Sequence, residues 1–111
     1  MISADGQDKK AIAGQLADQA SRDDLRVSLH AHQEMVREEI SYSTLREPLS
    51  SGRVIENYPD HRRGPCCLLC GQAASGRYVH VVCTTAHPLA IIITVYEPKP
   101  PKWINPFQRR K

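Results

Sequence analysis

Between Arg53 and Tyr96 four β-prone runs follow one another closely, over residues 53–58, 66–71, 77–84 and 89–96. The connections, residues 59–65, 72–76 and 85–88, are polar or rich in turn formers and short enough for hairpins. Successive strands joined in this way predict an antiparallel meander. The run Leu89-Ala-Ile-Ile-Ile-Thr-Val-Tyr96 is the most β-prone and is predicted to lie centrally. Residues 97–102, with Pro98, Pro100 and Pro101, cannot continue a strand.

Upstream the pattern is helical. Residues 8–20 favour a helix with Ile12 and Leu16 at i, i+4, Asp5 as its cap and Asp8 in its first turn. Its apolar face is thin, as in an accessory or partly ordered helix. Residues 23–29 read as a short strand in which Leu25, Val27 and Leu29 alternate. Leu29, Val36 and Ile40 then form one stripe, with Met35 beside it, predicting an amphipathic helix over 30–39. Ser41 or Ser43 caps a second helix carrying Tyr42, Leu45 and Leu49 and closed by Gly52. Pro48 costs a helix interior about 3 kcal/mol, so this helix is expected to be short or kinked near Glu47.

The organisation predicted is an N-terminal helical extension over residues 1–24 and a single α+β domain over 25–111. Two or three N-terminal helices pack on one face of a mostly antiparallel four- to five-stranded sheet. A chain of 111 residues suits one core. No run of 18 apolar residues exists to span a membrane, and the charges among the first twenty residues exclude a signal peptide. The expectation is a bacterial-type cytoplasmic protein with reduced thiols. Cys67-Leu-Leu-Cys70 has the spacing of half a zinc site, but on a strand the two thiols point to opposite faces. No metal and no cofactor are therefore expected, and the cysteines are read as small buried hydrophobes.

Charge is divided unevenly. Residues 1–52 carry six basic and nine acidic side chains, net −3; residues 53–111 carry nine and three, net +6. A basic half on a small domain is the footprint of a polyanion partner, or ordinary solvation. Alternation along the strands adds to this. With the greasier sets turned to the helices, the remaining open sheet face collects Glu56, Tyr58, Tyr78, His80, Thr94 and Tyr96. Tyrosines stack bases, arginines hold phosphates, and His or Glu moves protons, so such a face suits RNA. Half-exposed cross-strand aromatic pairs would leave the same pattern. His32, on the Leu29/Val36 side, is read as a buried, satisfied histidine, and His87 before Pro88 receives no role.

The motifs in order resemble a bacterial domain-of-unknown-function family over about residues 26–110. They are His30-Ala31, Met35 and Ile40-Ser41; Gly52-Arg-Val-Ile-Glu-Asn-Tyr-Pro-Asp60; Arg63-Gly-Pro-Cys-Cys-Leu68; Gly76-Arg-Tyr-Val-His-Val-Val82; Ile93-Thr-Val-Tyr-Glu-Pro98; Trp103; and Arg109-Arg110. Members of that family are often encoded beside YgiT-type zinc-finger antitoxin proteins, and the family looks like a distant relative of the RelE/MqsR/BrnT toxin ribonucleases. The resemblance implies a RelE-like α+β fold, messenger RNA cleavage without metal, and a zinc-finger antitoxin as partner. The family helix reads His-Ala-x-x-Arg-Met-x-Glu-Arg-Gly-Ile; Glu34, Arg37, Glu38 and Glu39 here replace its Arg, Glu, Arg and Gly. These departures also suit a non-catalytic RNA- or protein-binding module of the same fold.

For a metal-independent endoribonuclease, a base, an acid and a phosphate-holding cation are needed. His80 and His30 are the expected proton-transfer groups, Arg77 the phosphate contact, and Tyr96 an orienting or stacking ring. Arg62, Arg63, Lys99, Lys102, Arg109 and Arg110 are the expected RNA contacts, although the 109–111 end could equally be a solvated tail.

Overall fold

The meander forms, and the chain is an α+β fold in a computed structural model that describes residues 4–86 and 88–110, with side chains from residue 9 onward. His87 and Lys111 lie outside the described residues; α1 starts at Ala4, ahead of the expected start at residue 8, so Asp5 is inside the helix and is not its cap. The elements are α1 Ala4–Ser21, β1 Leu25–Val27, α2 Leu29–Glu38, α3 Tyr42–Ser51, β2 Arg53–Tyr58, β3 Cys66–Gln72, β4 Tyr78–Thr84, β5 Ala90–Tyr96, β6 Trp103–Asn105 and β7 Gln108–Arg109. The sheet order is β1-β5-β4-β3-β2, antiparallel except for β1, which runs parallel to β5. The last two strands form a separate ribbon.

The helices start and stop for local reasons. Ser28 Oγ accepts the Ala31 N–H and Ser41 Oγ the Thr44 N–H, each at 3.1 Å, capping α2 and α3. Past α2, Glu39 takes a left-handed conformation with φ 58°, and the Ile40 N–H returns to the Met35 carbonyl at 2.8 Å. That geometry is the reason a glycine is expected at position 39.

Pro48 does not shorten or break α3, which continues through it to Ser51. The proline is buried against β3, where Gly71 makes room: a Cβ on Gly71 would lie 2.5 Å from Pro48 Cα. Gly52 makes a similarly close approach, its missing Cβ falling 2.4 Å from the Pro48 carbonyl oxygen.

All three helices contribute to one core. Leu16 and Ala20 of α1, Ala31 and Met35 of α2, and Leu45 and Leu49 of α3 pack with Val54, Cys67, Leu69, Val79, Val81, Cys83, Ala90, Ile92 and Val95 of the sheet. Despite its thin apolar face, α1 is thus part of the core. It is also tied down by polar contacts: Gln15 donates to the Thr85 carbonyl and Arg46 to the Ala20 carbonyl.

Two expectations about faces are corrected. The expected α2 stripe is buried only at its end, Ile40: Leu29 and Val36 are 74% and 67% exposed, and His32 is exposed with them. The buried line runs through Ala31 and Met35 instead. On β5, strict alternation would put Leu89, Ile91, Ile93 and Val95 on the helix face opposite Thr94 and Tyr96, and they do not share it. The register slips between Val82 and Cys83, so that Val82 pairs with Thr94 but Cys83 with Ile92. Ile93 is the extra residue of this bulge, and Ala90 and Ile92 join Val95 in the core. A second bulge at Ile55 keeps Val54 inward and turns Glu56 outward.

Candidate nucleic-acid interface

The sheet face away from the helices is built in rows. Cys70, His80 and Tyr96 form one; Glu56, Leu68, Val82 and Thr94 the next; Tyr58, Cys66 and Thr84 a third. The face expected to be open is covered over its first row by the C-terminal ribbon. Trp103 packs edge-on against the His80 ring at 4.3 Å, and Phe107 against Tyr78 at 5.5 Å with the Arg53 guanidinium 4.1 Å over its ring.

His80 is therefore not exposed; its side chain is fully buried. Its Nε2 lies 2.6 Å from the Pro106 carbonyl, which can only accept, so Nε2 carries the hydrogen. Nδ1 is then the acceptor for the Tyr96 hydroxyl at 3.1 Å. The neutral imidazole is fully satisfied, and burial holds its pKa below the ordinary histidine value, outweighing the Pro106 bond. Burial also pushes the Tyr96 phenol up.

His30 stands apart from this pair, exposed on α2, with Nε2 3.3 Å from Glu34. Glu34 in turn accepts the Val95 N–H at 2.9 Å, and Glu38 the Glu97 N–H at 2.8 Å. Two of the residues that depart from the family helix thus cover the N–H groups of Val95 in β5 and of Glu97 just past its end, beyond the pairing of β5 with β1. Arg77 donates to the Glu38 and Glu39 carbonyls at the end of α2 and to Glu97. The structure places its guanidinium at the negative end of a helix dipole.

Arg109 does not belong to a merely solvated tail. Arg109 holds Glu56 with two bonds, of 3.1 and 2.8 Å, and lies 4.7 Å over the Trp103 ring. The Tyr58 hydroxyl donates to the same carboxylate. Arg109 and Tyr58 keep Glu56 below the usual carboxylate range against the opposing effect of burial. Burial and the adjoining carboxylate push Tyr58 up to about 12. Glu56, Tyr58 and Arg109 form a cluster in which only Tyr58 and Glu56 shared a face by strand alternation; Arg109 arrives through the ribbon. The aromatics of Trp103-Ile-Asn-Pro-Phe107 and its Asn-Pro turn signal were the available clue to that ribbon.

Below the ribbon the face is open and basic-rimmed. One hollow, of about 480 Å³, lies between the 61–64 loop with Arg62 and Arg63 and the strand residues Cys66, Val82, Thr84 and Ile93. A second, of about 350 Å³, is lined by Thr94, Tyr96, Trp103, the cations Lys99 and Lys102, and the carboxylates Glu34 and Glu97. Val82 and Thr94 are cross-strand partners, so the two hollows adjoin on one face. Arg110 is exposed beyond β7. Cys67 faces the core, hydrogen-bonded to Cys83, while Cys70 faces the ribbon side with its thiol pushed up to about 11 by burial. Among the described residues no helix is long and apolar enough to cross a membrane.

The family model described as a domain of unknown function, DUF4258, matches residues 27–97, well over half of the chain. No curated protein and no solved structure matches it.

Proposed function

The chain belongs to the DUF4258 family, and we propose that it binds single-stranded RNA along the sheet face that the helices leave free. The observation that carries this reading is the pair of adjoining hollows with Arg62 and Arg63 at one end and Lys99 and Lys102 at the other. Between them lies a floor of Val82 and Thr94, with the Tyr96 ring alongside. Cations at both ends of a partly apolar groove suit a strand whose phosphates are held while its bases lie on the protein, and the two carboxylates at the lysine end are already engaged, Glu34 by His30 and the Val95 N–H and Glu97 by Arg77. The groove lies in the basic half of the chain, and the cytoplasm is where such a protein meets messenger RNA.

Fluorescence anisotropy of a labelled single-stranded RNA tests this. The wild type binds, and the variants Arg62→Ala/Arg63→Ala and Lys99→Ala/Lys102→Ala each weaken binding several-fold with the fold intact. Unaltered affinity in both variants refutes the groove.

A second reading, that of a metal-independent mRNA endoribonuclease acting as a toxin neutralised by a zinc-finger antitoxin, is favoured by the Glu56–Tyr58–Arg109 cluster. Once substrate replaces the bonds these groups make with one another, a carboxylate can accept the 2′-hydroxyl proton, a phenol can donate to the 5′-leaving oxygen, and a guanidinium can take the developing charge. These groups replace the expected pair of His80 and His30 because His80 is enclosed with both nitrogens occupied. The test is growth arrest on induction together with RNA cleavage in EDTA. Glu56→Gln lowers cleavage at least about a hundredfold if the carboxylate is the base. Absence of both arrest and cleavage leaves the binding reading alone.

A further inference from the structure

The hollow beside the β2–β3 loop has one-sided chemistry. On its lip, His61 Nδ1 accepts the Arg63 N–H at 3.2 Å, so the neutral ring carries its hydrogen on Nε2. Arg62 and Arg63 make no ion pair among the described residues, in contrast to Arg22, Arg77 and Arg109, each of which holds a carboxylate. On the floor, Thr84 Oγ1 already accepts the Ile91 N–H at 3.0 Å, which leaves its hydroxyl hydrogen to give. Burial pushes the Cys66 thiol up, so it remains S–H. No carboxylate lines the hollow. Its side chains therefore offer donors and positive charge at the lip, and apolar surface from Val82 and Ile93 below.

A ligand that matches must be anionic at one end and flat and weakly polar at the other. The volume, about 480 Å³, falls within the range of about 300–1,000 Å³ typical of small-molecule sites. We infer that this hollow takes a single nucleotide unit, its phosphate held by Arg62, Arg63 and His61 and its base laid over Val82 and Ile93. The inference rests on the RNA reading and deepens it, fixing where one nucleotide of the strand is seated.

The experiment is an NMR titration of the full chain, following the His61 imidazole and Ile93 methyl signals. The probes are uridine 3′-monophosphate, uridine and inorganic phosphate, each added alone. The nucleotide is expected to shift both signals and to bind at least about tenfold more tightly than either fragment, the separation that 1.4 kcal/mol produces. Arg62→Ala/Arg63→Ala is expected to abolish the response while the Trp103 indole signal stays in place, reporting an intact fold. Equal binding of inorganic phosphate and nucleotide, equal binding of uridine, or silence at Ile93 overturns the inference. Anisotropy with a single-stranded RNA on the same sample separates the two levels. RNA binding with a silent hollow removes the nucleotide seat alone, whereas loss of RNA binding removes the wider reading too.

Discussion

Acid should loosen the C-terminal ribbon, and His80 is the reason. Its neutral ring gives one hydrogen to the Pro106 carbonyl and accepts one from Tyr96. A second ring proton can be accepted only by the Tyr96 oxygen that now donates to the ring, so protonation forces the Tyr96 hydroxyl to turn its own hydrogen away and places a charge in a fully buried site. Burial lowers the folded-state pKa below the unfolded value of about 6.5. The unfolded chain then binds the proton more readily, and stability falls as pH drops through about 6.5 towards the folded value. By one pH unit below 6.5 the loss can reach at most about 1.4 kcal/mol, the limit for a single proton that the folded ring refuses. Trp103, the only tryptophan, packs against the ring and reports the change by fluorescence. Urea unfolding at pH 7.5 and 5.5 should show the wild type losing stability, by up to this amount. In His80→Gln the amide can still donate to Pro106 but does not titrate, so this part of the pH dependence should vanish. An identical pH dependence in wild type and variant refutes the reasoning.

Three further outcomes follow from the packing. Glu39→Gly should raise stability by about 1 kcal/mol, because φ 58° strains any residue with a Cβ; thermal melting checks it, and no gain contradicts the strain. Gly71→Ala should destabilise by about 1–3 kcal/mol or prevent folding, since the new methyl overlaps Pro48; an unchanged melting temperature contradicts the close packing. Arg77→Gln should cost about 1–2 kcal/mol of stability through the α2 carbonyls it leaves unpaired, while RNA affinity remains at the wild-type level. A large fall in affinity without loss of stability would return Arg77 to the phosphate.

The strands were legible because period-two alternation and turn chemistry agree along residues 53–96. β2 has the boundaries expected, and β3 differs by one residue. The outward placing of Glu56, Tyr58, His80, Thr94 and Tyr96 followed from alternation as well. Bulges were not legible: one extra residue at Ile93 exchanges the faces of the first half of β5, and no composition marks it. Pro48 misled because its cost depends on its neighbour in space; Gly71, more than twenty residues away in the chain, removes the obstacle. Least legible was what covers the sheet. The ribbon is two short strands after a proline-rich link, and its attachment depends on Arg109 meeting Glu56 and Trp103 meeting His80 across the fold. Those contacts bury His80 and leave Tyr58 and Glu56 as the more accessible polar pair.

RNA binding along the groove is tested most directly by its salt dependence. Three phosphate contacts, one shared by Arg62 and Arg63 and one each at Lys99 and Lys102, give a slope of log affinity against log salt of about −2.1 at about 0.7 per contact on a single strand. Between 50 and 200 mM salt, affinity for a single-stranded RNA should therefore fall by about 20-fold. The slope should shrink by about a third in Arg62→Ala/Arg63→Ala. Affinity that is flat across this range, or a slope that the double variant leaves unchanged, contradicts the account.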